Sequence, residues 1–514
     1  MKRLGWLFVL VFLFPGIWVE IIHSQTPSPK AGKSAIPKTW DDAAMAVLEI
    51  PLANPIGSPK QVPADYYYRI PVRPIYKSYP VYAAGHEPTG YLESLKHKDP
   101  IIYWDDKGHA PTLETEADWI NAGEAVFDAP IGDGGIGGSE PTDLYVRDPK
   151  FLEMTGALVA GDGTLPYFRY VVKKKGEVEI GVLACGMCHT RVMPDGSVLK
   201  GAQGNFPFDR YFAFDYLRSG SKMAPVLERS LYATPWITSD PLPSTSSMPL
   251  QQIAEVHRTI PPGVAARNRT SPFAPAQVPD LIGVKDRKYL DRTGLQQQHS
   301  IVDLMRYAAL NQGGDDLANF NGFVPVDFPD FKQLPKIENL DRDRYSDQQL
   351  YALALYVYSL KPPPNPNKFD ALAERGQEIF KSKGCIMCHT PPMYTNNKLT
   401  IATGFTPSAD AETKYDILPF SVGTDPTLAL KTRRGTGYYK VPSLRGVWYR
   451  GMFGHSGWCA TLEDWFDPRR LQDDYLPTGF KPYGMKTYAV KGHPFGLDLS
   501  VEDRRALIAF LKTL

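Results

Sequence analysis

Apolar positions recur at helical spacing in four stretches of this chain, and the stretches fall into two matched sets. Thr115 to Asp118 opens the first with a Thr-x-x-Asp capping pattern, and Trp119, Ala122, Gly123 and Val126 then line one face up to Phe127. Its counterpart is Ala371 to Phe380, where Gly376-Gln377-Glu378-Ile379-Phe380 parallels Gly123-Glu124-Ala125-Val126-Phe127. The closing helices also match: Ser346 to Leu360 carries a Ser346/Gln349 capping box, and Ser500 to Leu514 has Ser500 as cap with Asp503 at the third helical position. Pro362-Pro363-Pro364-Asn365-Pro366 stops the helix before it and forms a stiff linker. An opening helix, long loops and a closing helix therefore occur twice.

Two other patterns break the helical reading. Tyr167 to Val172 and Glu177 to Val182 are β-rich runs joined by a Lys/Gly turn, which predicts a small hairpin inserted at 128–182. Residues 26–114 are Pro-rich and then aromatic, as in Tyr66-Tyr67-Tyr68. The prolines argue against a long helix or central strand, and the aromatics predict an extended arm buried against the rest. Residues 1–25 start Met1-Lys2-Arg3 and continue as the apolar run Leu4 to Val19. That run is shorter than the ~20 residues of a spanning helix, so it reads as an export signal, with an uncleaved membrane anchor as the alternative.

Composition changes the picture little. The 57 basic and 56 acidic residues nearly cancel, which leaves no footprint for nucleic acid. With 47 Pro, 43 Gly and 12% aromatics among 514 residues, long loops packed by rings are expected. Nothing in the sequence indicates the oligomeric state.

Cysteine placement changes it more. Cys185-Gly186-Met187-Cys188-His189 and Cys385-Ile386-Met387-Cys388-His389 each read as a c-type haem attachment site, with two thiols for the vinyl groups and an imidazole for iron. Random placement of 5 Cys and 10 His yields on the order of 10⁻³ such motifs, against two found. A zinc half-site would need more Cys or His at short spacing, and none follows. The reading is two covalent haem c groups, with His189 and His389 as proximal ligands, in a mainly α fold. Two tandem cytochrome c-like domains are expected, at 115–363 and 364–514. Attachment of haem after export in bacteria agrees with the signal and gives a periplasmic location.

Further residues carry a family resemblance. Pro442-Ser443-Leu444-Arg445, Gly454-His455-Ser456-Gly457 and Thr461-Leu462-Glu463-Asp464, with the order of the haem motifs, resemble the bacterial di-haem cytochrome c peroxidases and their relatives, including the di-haem rubber oxygenases. The resemblance covers roughly residues 115–514 and is strongest from 371. It implies a Met ligand for the C-terminal haem where this chain has Arg469. Substitutes are His493 and Met485, and the His near the C-terminus of the rubber oxygenases favours His493. It also implies a distal His at the first haem where Asn205 stands, so that haem is expected to be open or weakly ligated; His257 and His299 read as packing or surface residues, with iron ligation as the alternative. His455 is implied to be structural or haem-contacting. The resemblance further implies Tyr289 as a bridge between the haems, Asp315 or Asp316 as the distal acid, and Ca²⁺ between the domains. The expected function is peroxidase-like. The C-terminal haem relays electrons from a small donor, a cytochrome c or copper protein, and the N-terminal haem meets H₂O₂. The alternatives are an oxygenase using O₂ on an organic substrate and a plain electron-transfer cytochrome.

Overall fold

Each helix start expected from a cap is made by that cap. Asp118 N–H donates to Thr115 Oγ1 while the Asp118 carboxylate accepts from Thr115 N–H, and Ser346 and Gln349 make the same reciprocal pair. Ser500 Oγ accepts from Asp503 N–H. These bonds satisfy amide donors that the first helical turn leaves without partners.

The computed structural model describes residues 36–43, 53, 63–110, 113–130, 132–133, 145–220, 242–243, 245–266, 270–312, 343–432 and 435–514. The longer helices are α1 (Glu116–Asp128), α2 (Phe208–Ser219), α3 (Leu250–Arg258), α4 (Ile301–Gln312), α5 (Asp347–Ser359), α6 (Ala371–Ser382) and α7 (Val501–Lys512). Among the strands are β1 (Ser78–Tyr82), β2 (Gly132–Asp133), β3 (Thr164–Lys174), β4 (Glu177–Val182), β5 (Leu399–Ile401), β6 (Ile417–Leu418) and β7 (Tyr438–Lys440).

Helix α1 crosses α5, and α6 crosses α7 in the same way. A Cβ on Gly123 would overlap the Ala352 carbonyl and come within 2.8 Å of Tyr356 Cβ. One on Gly376 would overlap the Ala506 carbonyl and come within 2.8 Å of Phe510 Cβ. The sequence repeat is thus a repeated backbone-to-backbone crossing that only glycine permits. Around the second crossing, Phe380, Leu507 and Phe510 are buried in a small core.

The mainly α expectation is corrected to a mixed α and β fold. The inserted hairpin, β3 with β4, is the middle of a four-stranded antiparallel sheet ordered β1-β3-β4-β2. Tyr167, Phe168, Tyr170, Val171 and Val172 are all buried, so both faces of β3 need cover and a lone hairpin would leave them wet. Residues 26–114 are also more than an extended arm, since they supply β1 and the short helices Ala64–Arg69 and Tyr91–Lys96. Pro80 sits in β1 at the sheet edge, where a missing N–H is tolerated. The aromatics of that region are buried as expected: Trp40 stacks on Tyr67 at 4.6 Å, and both share a core with Trp104 and helices α1, α4 and α5.

Residues Ile36–Leu514 cluster as one unit. Loops of the second helix pair bond directly to the first half, as in Lys440 N–H to Arg292 O at 3.1 Å and Tyr449 Oη–H to Asp280 Oδ2 at 2.8 Å. Among the described residues, no helix is long and apolar enough to cross a membrane; residues 1–25 lie outside them.

Candidate functional site

The first motif leaves β4 through Leu183, whose φ is +65°, and Cys185–Cys188 then makes one helical turn. His189 follows with its Nδ1 3.0 Å from the Pro279 carbonyl. Donation from Nδ1–H fixes the tautomer and makes Nε2 the lone-pair nitrogen, the usual arrangement of a metal-binding imidazole. Cys185, Cys188 and His189 line a cavity of ≈200 Å³. Its other wall is largely apolar and comes from α4 and α5, with Leu304, Ala308, Leu353 and Val357. Among the described residues, no second histidine lines it. Its polar groups include Tyr307, Asn311, Asp291 and Arg292. Tyr307 Oη–H donates to Asp291 Oδ2 at 2.8 Å, and Asn311 Nδ2–H donates to the Tyr307 carbonyl at 2.7 Å. Asp291 is held at φ +68°, a conformation that needs support from its surroundings.

The second motif follows α6 through Gly384, at φ +75°, into a 3₁₀ turn over Cys385–Met387. His389 is buried, with Nδ1 3.1 Å from the Tyr394 carbonyl. Here a second imidazole does lie close: the His493 ring centroid is 6.3 Å from that of His389, with the ring planes 58° apart. Two imidazoles bound on opposite sides of one metal at about 2.0–2.1 Å per bond would put their centroids about 6–6.5 Å apart. Burial, then the neighbouring His389 and Arg470, hold His493 down to about 3, and burial holds His389 below its ordinary value. Both rings are therefore neutral at pH 7, as ligands must be. Among the described residues no group of three or more His, Cys, Asp or Glu could hold a bare ion. Two neighbouring neutral imidazoles with two thiols on the adjoining turn instead fit a c-type haem, which His389 and His493 would ligate and Cys385 and Cys388 would tether.

The loop bearing His493 is latched in place. His493 N–H donates to Val422 O at 2.6 Å, and Gly492 lies so close to Gly423 that a Cβ would overlap its backbone. Arg470 Nη2–H donates to the Gly492 carbonyl at 2.8 Å while its guanidinium lies over Trp458 and Trp465, 4.8 and 5.1 Å from the ring centroids. Trp465 and Phe495 contact the His493 ring edge to face at 5.3 and 5.2 Å. His493 itself has φ +54°.

Other expected residues are placed as follows. Met485 is exposed. Arg469 pairs with Asp467 on the surface. Tyr289 is buried beside Leu399 and Tyr438, with its hydroxyl donating to Asp416 at 3.2 Å. Asp315 and Asp316 lie outside the described residues. His257 is buried against Phe212 with Nδ1 2.7 Å from Asp209, and His299 is exposed. Asn205 clamps the hairpin after the first motif through Val192 N–H and C=O. His455 stacks on Tyr439 at 4.1 Å, and burial lowers it to about 4. The acidic cluster that a Ca²⁺ site would use is absent from the described residues. Tyr307, Asp291 and Arg470 escaped the sequence reading, because nothing in their spacing distinguishes them from core residues.

The two centres differ in exposure. Met187, inside the first motif, is buried, whereas the equivalent Met387 is 71% exposed.

No family model matches the chain, and no curated protein matches it. Among solved structures it is similar to Kuenenia stuttgartiensis hydrazine synthase pressurised with xenon, at 17% identity over 47% of this chain and 73% of that one, with a TM-score of 0.29. A MauG-like protein associated with microbial copper homeostasis gives 15% identity over 46% and 75%, also with a TM-score of 0.29. Such overlap is too low to carry function, which rests on this chain's own residues.

Proposed function

We propose that the protein is an exported, periplasmic di-haem c-type oxidoreductase that reduces H₂O₂ with electrons from a small cytochrome or copper protein. One observation carries this reading: His389 has a second imidazole with its centroid 6.3 Å away, and His189 lines a cavity. Haem bound at both motifs supplies redox-active iron. Cys185, Cys188, Cys385 and Cys388 tether it, and the carbonyls of Pro279 and Tyr394 orient the imidazoles that hold it.

A centre held by two imidazoles, His389 and His493, would suit electron transfer, and one held by His189 beside a cavity would suit chemistry. The exposed turn at Met387 offers electron entry at the closed centre, while the sheet and α2 keep solvent from the turn at Met187. Peroxide reduction consumes two electrons and two protons and yields two waters. In the first cavity Asp291, bonded to the Tyr307 hydroxyl, would take a proton from one peroxide oxygen and return it to the other through that pair, while the two protons that accompany the two electrons come from solvent. Asn311, bonded to the Tyr307 backbone, stiffens that end of α4. The apolar wall of Leu304, Leu353 and Val357 also suits O₂ chemistry on an apolar organic substrate, which is the second reading.

Optical and electron paramagnetic resonance spectra of the purified ferric protein test the proposal. One low-spin bis-imidazole signal and one high-spin signal are expected. Two low-spin signals that persist on partial reduction would leave no site for chemistry. Stoichiometric loss of H₂O₂ with a reduced cytochrome or copper donor, against incorporation of O₂ into an organic product, separates the two readings.

A further inference from the structure

A second, smaller pocket of ≈20 Å³ lies between the chain segments that support the two imidazoles. On one side is Asp280, next to the Pro279 whose carbonyl holds His189. On the other are Pro442, whose carbonyl also faces His389, and Ser443. Four cations line it: Arg287, Arg292, Lys440 and Arg450. Arg292 lines the larger cavity as well.

Two carboxylates, Asp280 and Asp291, act on these four charges and offset them only in part. Asp280 is the one carboxylate in the lining, and it already accepts from Tyr449 Oη–H at 2.8 Å and Ile282 N–H at 2.9 Å. Its ion pair with Arg450 is long, 3.9 Å. Asp291 accepts from Tyr307. The cations donate to backbone carbonyls instead: Arg292 to Gln277 and Val278, each at 3.1 Å, Lys440 to Tyr289 at 3.3 Å, Arg287 to Ile282 at 2.7 Å, and Arg450 to Ser443 at 2.9 Å. Carbonyl dipoles solvate a charge without cancelling it. Nε of Arg287 and Nε of Arg450 are buried with no hydrogen-bond partner. Burial and mutual repulsion push Arg292 down to about 9 and Lys440 well below its ordinary value. Gathering four cations at such cost, with donors left over, is the mark of a site that awaits an anion.

We infer that this pocket is an anion site that takes propionate carboxylates of the haem groups at both centres, so that one cluster of cations sets the charge around both irons. The inference rests on the di-haem reading. It adds that the centres share a counter-charge and respond together to its loss.

Redox titration of the holoprotein, with both haem signals followed, tests it in the wild type and in Lys440→Met and Lys440→Arg. Removing one unit charge about 10 Å away in a medium of effective dielectric ~20 disfavours the reduced state about tenfold or more, which is 59 mV per tenfold for one electron. Both midpoints should fall together in Lys440→Met and stay near wild type in Lys440→Arg. Arg287→Met serves in the same way if Lys440→Met does not fold. Unmoved midpoints, or a shift at one centre alone, would overturn the shared site. Replacing chloride by inorganic phosphate at constant ionic strength should leave wild-type midpoints unchanged; a phosphate-dependent shift lost in Lys440→Met would show a free anion in the pocket and overturn the propionate assignment. A purified protein without haem absorbance would refute the di-haem reading itself.

Discussion

Replacing Gly376 by Ala should destabilise the protein, although alanine is the better helix former by about 1 kcal/mol. The added Cβ would fall within the envelope of the Ala506 carbonyl, and ordinary contact needs 3.4 Å or more. Helices α6 and α7 would have to part by more than an ångström. Neither backbone can yield alone, because each carbonyl and amide at the crossing belongs to a helical ladder. Overpacking of this kind costs about 1–3 kcal/mol. Parting the helices also loosens Phe380, Leu507 and Phe510, each of which contributes about 1.5–3 kcal/mol when fully buried. Set against the propensity gain, the net loss is about 2–4 kcal/mol. Denaturant unfolding of the holoprotein, read by far-ultraviolet circular dichroism, gives the value, with Gln377→Ala on the next residue as control. The same change at Gly123 should cost a similar amount, since Ala352 and Tyr356 repeat the geometry. The spectral consequences should differ: Gly376→Ala disturbs the turn that carries Cys385 and His389, and Gly123→Ala does not. If Gly376→Ala unfolds within about 0.5 kcal/mol of wild type, the backbone crossing is not as described.

His493→Gly removes the imidazole without straining a backbone at positive φ, so the low-spin signal should disappear, and added imidazole should restore it. Arg470→Met removes the donor to the Gly492 carbonyl; ferric spectra should show a partial high-spin fraction at the second centre, smaller in Arg470→Lys. Tyr307→Phe should slow H₂O₂ turnover about 10²-fold while leaving the bis-imidazole signal intact. Asp416 is held below the usual carboxylate range by Lys288 and the Tyr289 hydroxyl. Its contribution, under about 1 kcal/mol at this exposure, is full above the unfolded value of about 3.9 and is lost as pH falls through the folded one. Asp416→Asn should accordingly flatten the acid limb of a stability profile.

Local signals carried the parts of the fold that depend on neighbours in sequence. The caps at Thr115, Ser346 and Ser500 are backbone chemistry within four residues, and the patterns displayed them directly. The Gly123/Gly376 repeat was visible too, but only the structure gives its reason, the approach to Ala352 and Ala506. The four-stranded sheet was hidden because β1 and β3 are far apart in sequence, and Pro80 made β1 look unlike a strand. The pairing of Tyr307 with Asp291, and the gathering of Arg287, Arg292, Lys440 and Arg450, depend on loop paths that no periodicity encodes.

The backbone at His493 restricts which ligand this site can hold. With φ at +54°, the position suits glycine and, among other residues, Asn, Asp and His far better than methionine or any branched side chain. Of those four, only histidine offers a ring nitrogen to a metal. A single substitution to methionine would bring the wrong side chain to a turn that resists it, and the latch at Gly492 and Arg470 keeps the turn from adjusting. Exchange of the proposed His ligand for a Met ligand would here require rebuilding the loop first. On the di-haem proposal, the reduction potential of the second centre would be fixed by the shape of the chain as much as by the identity of one residue.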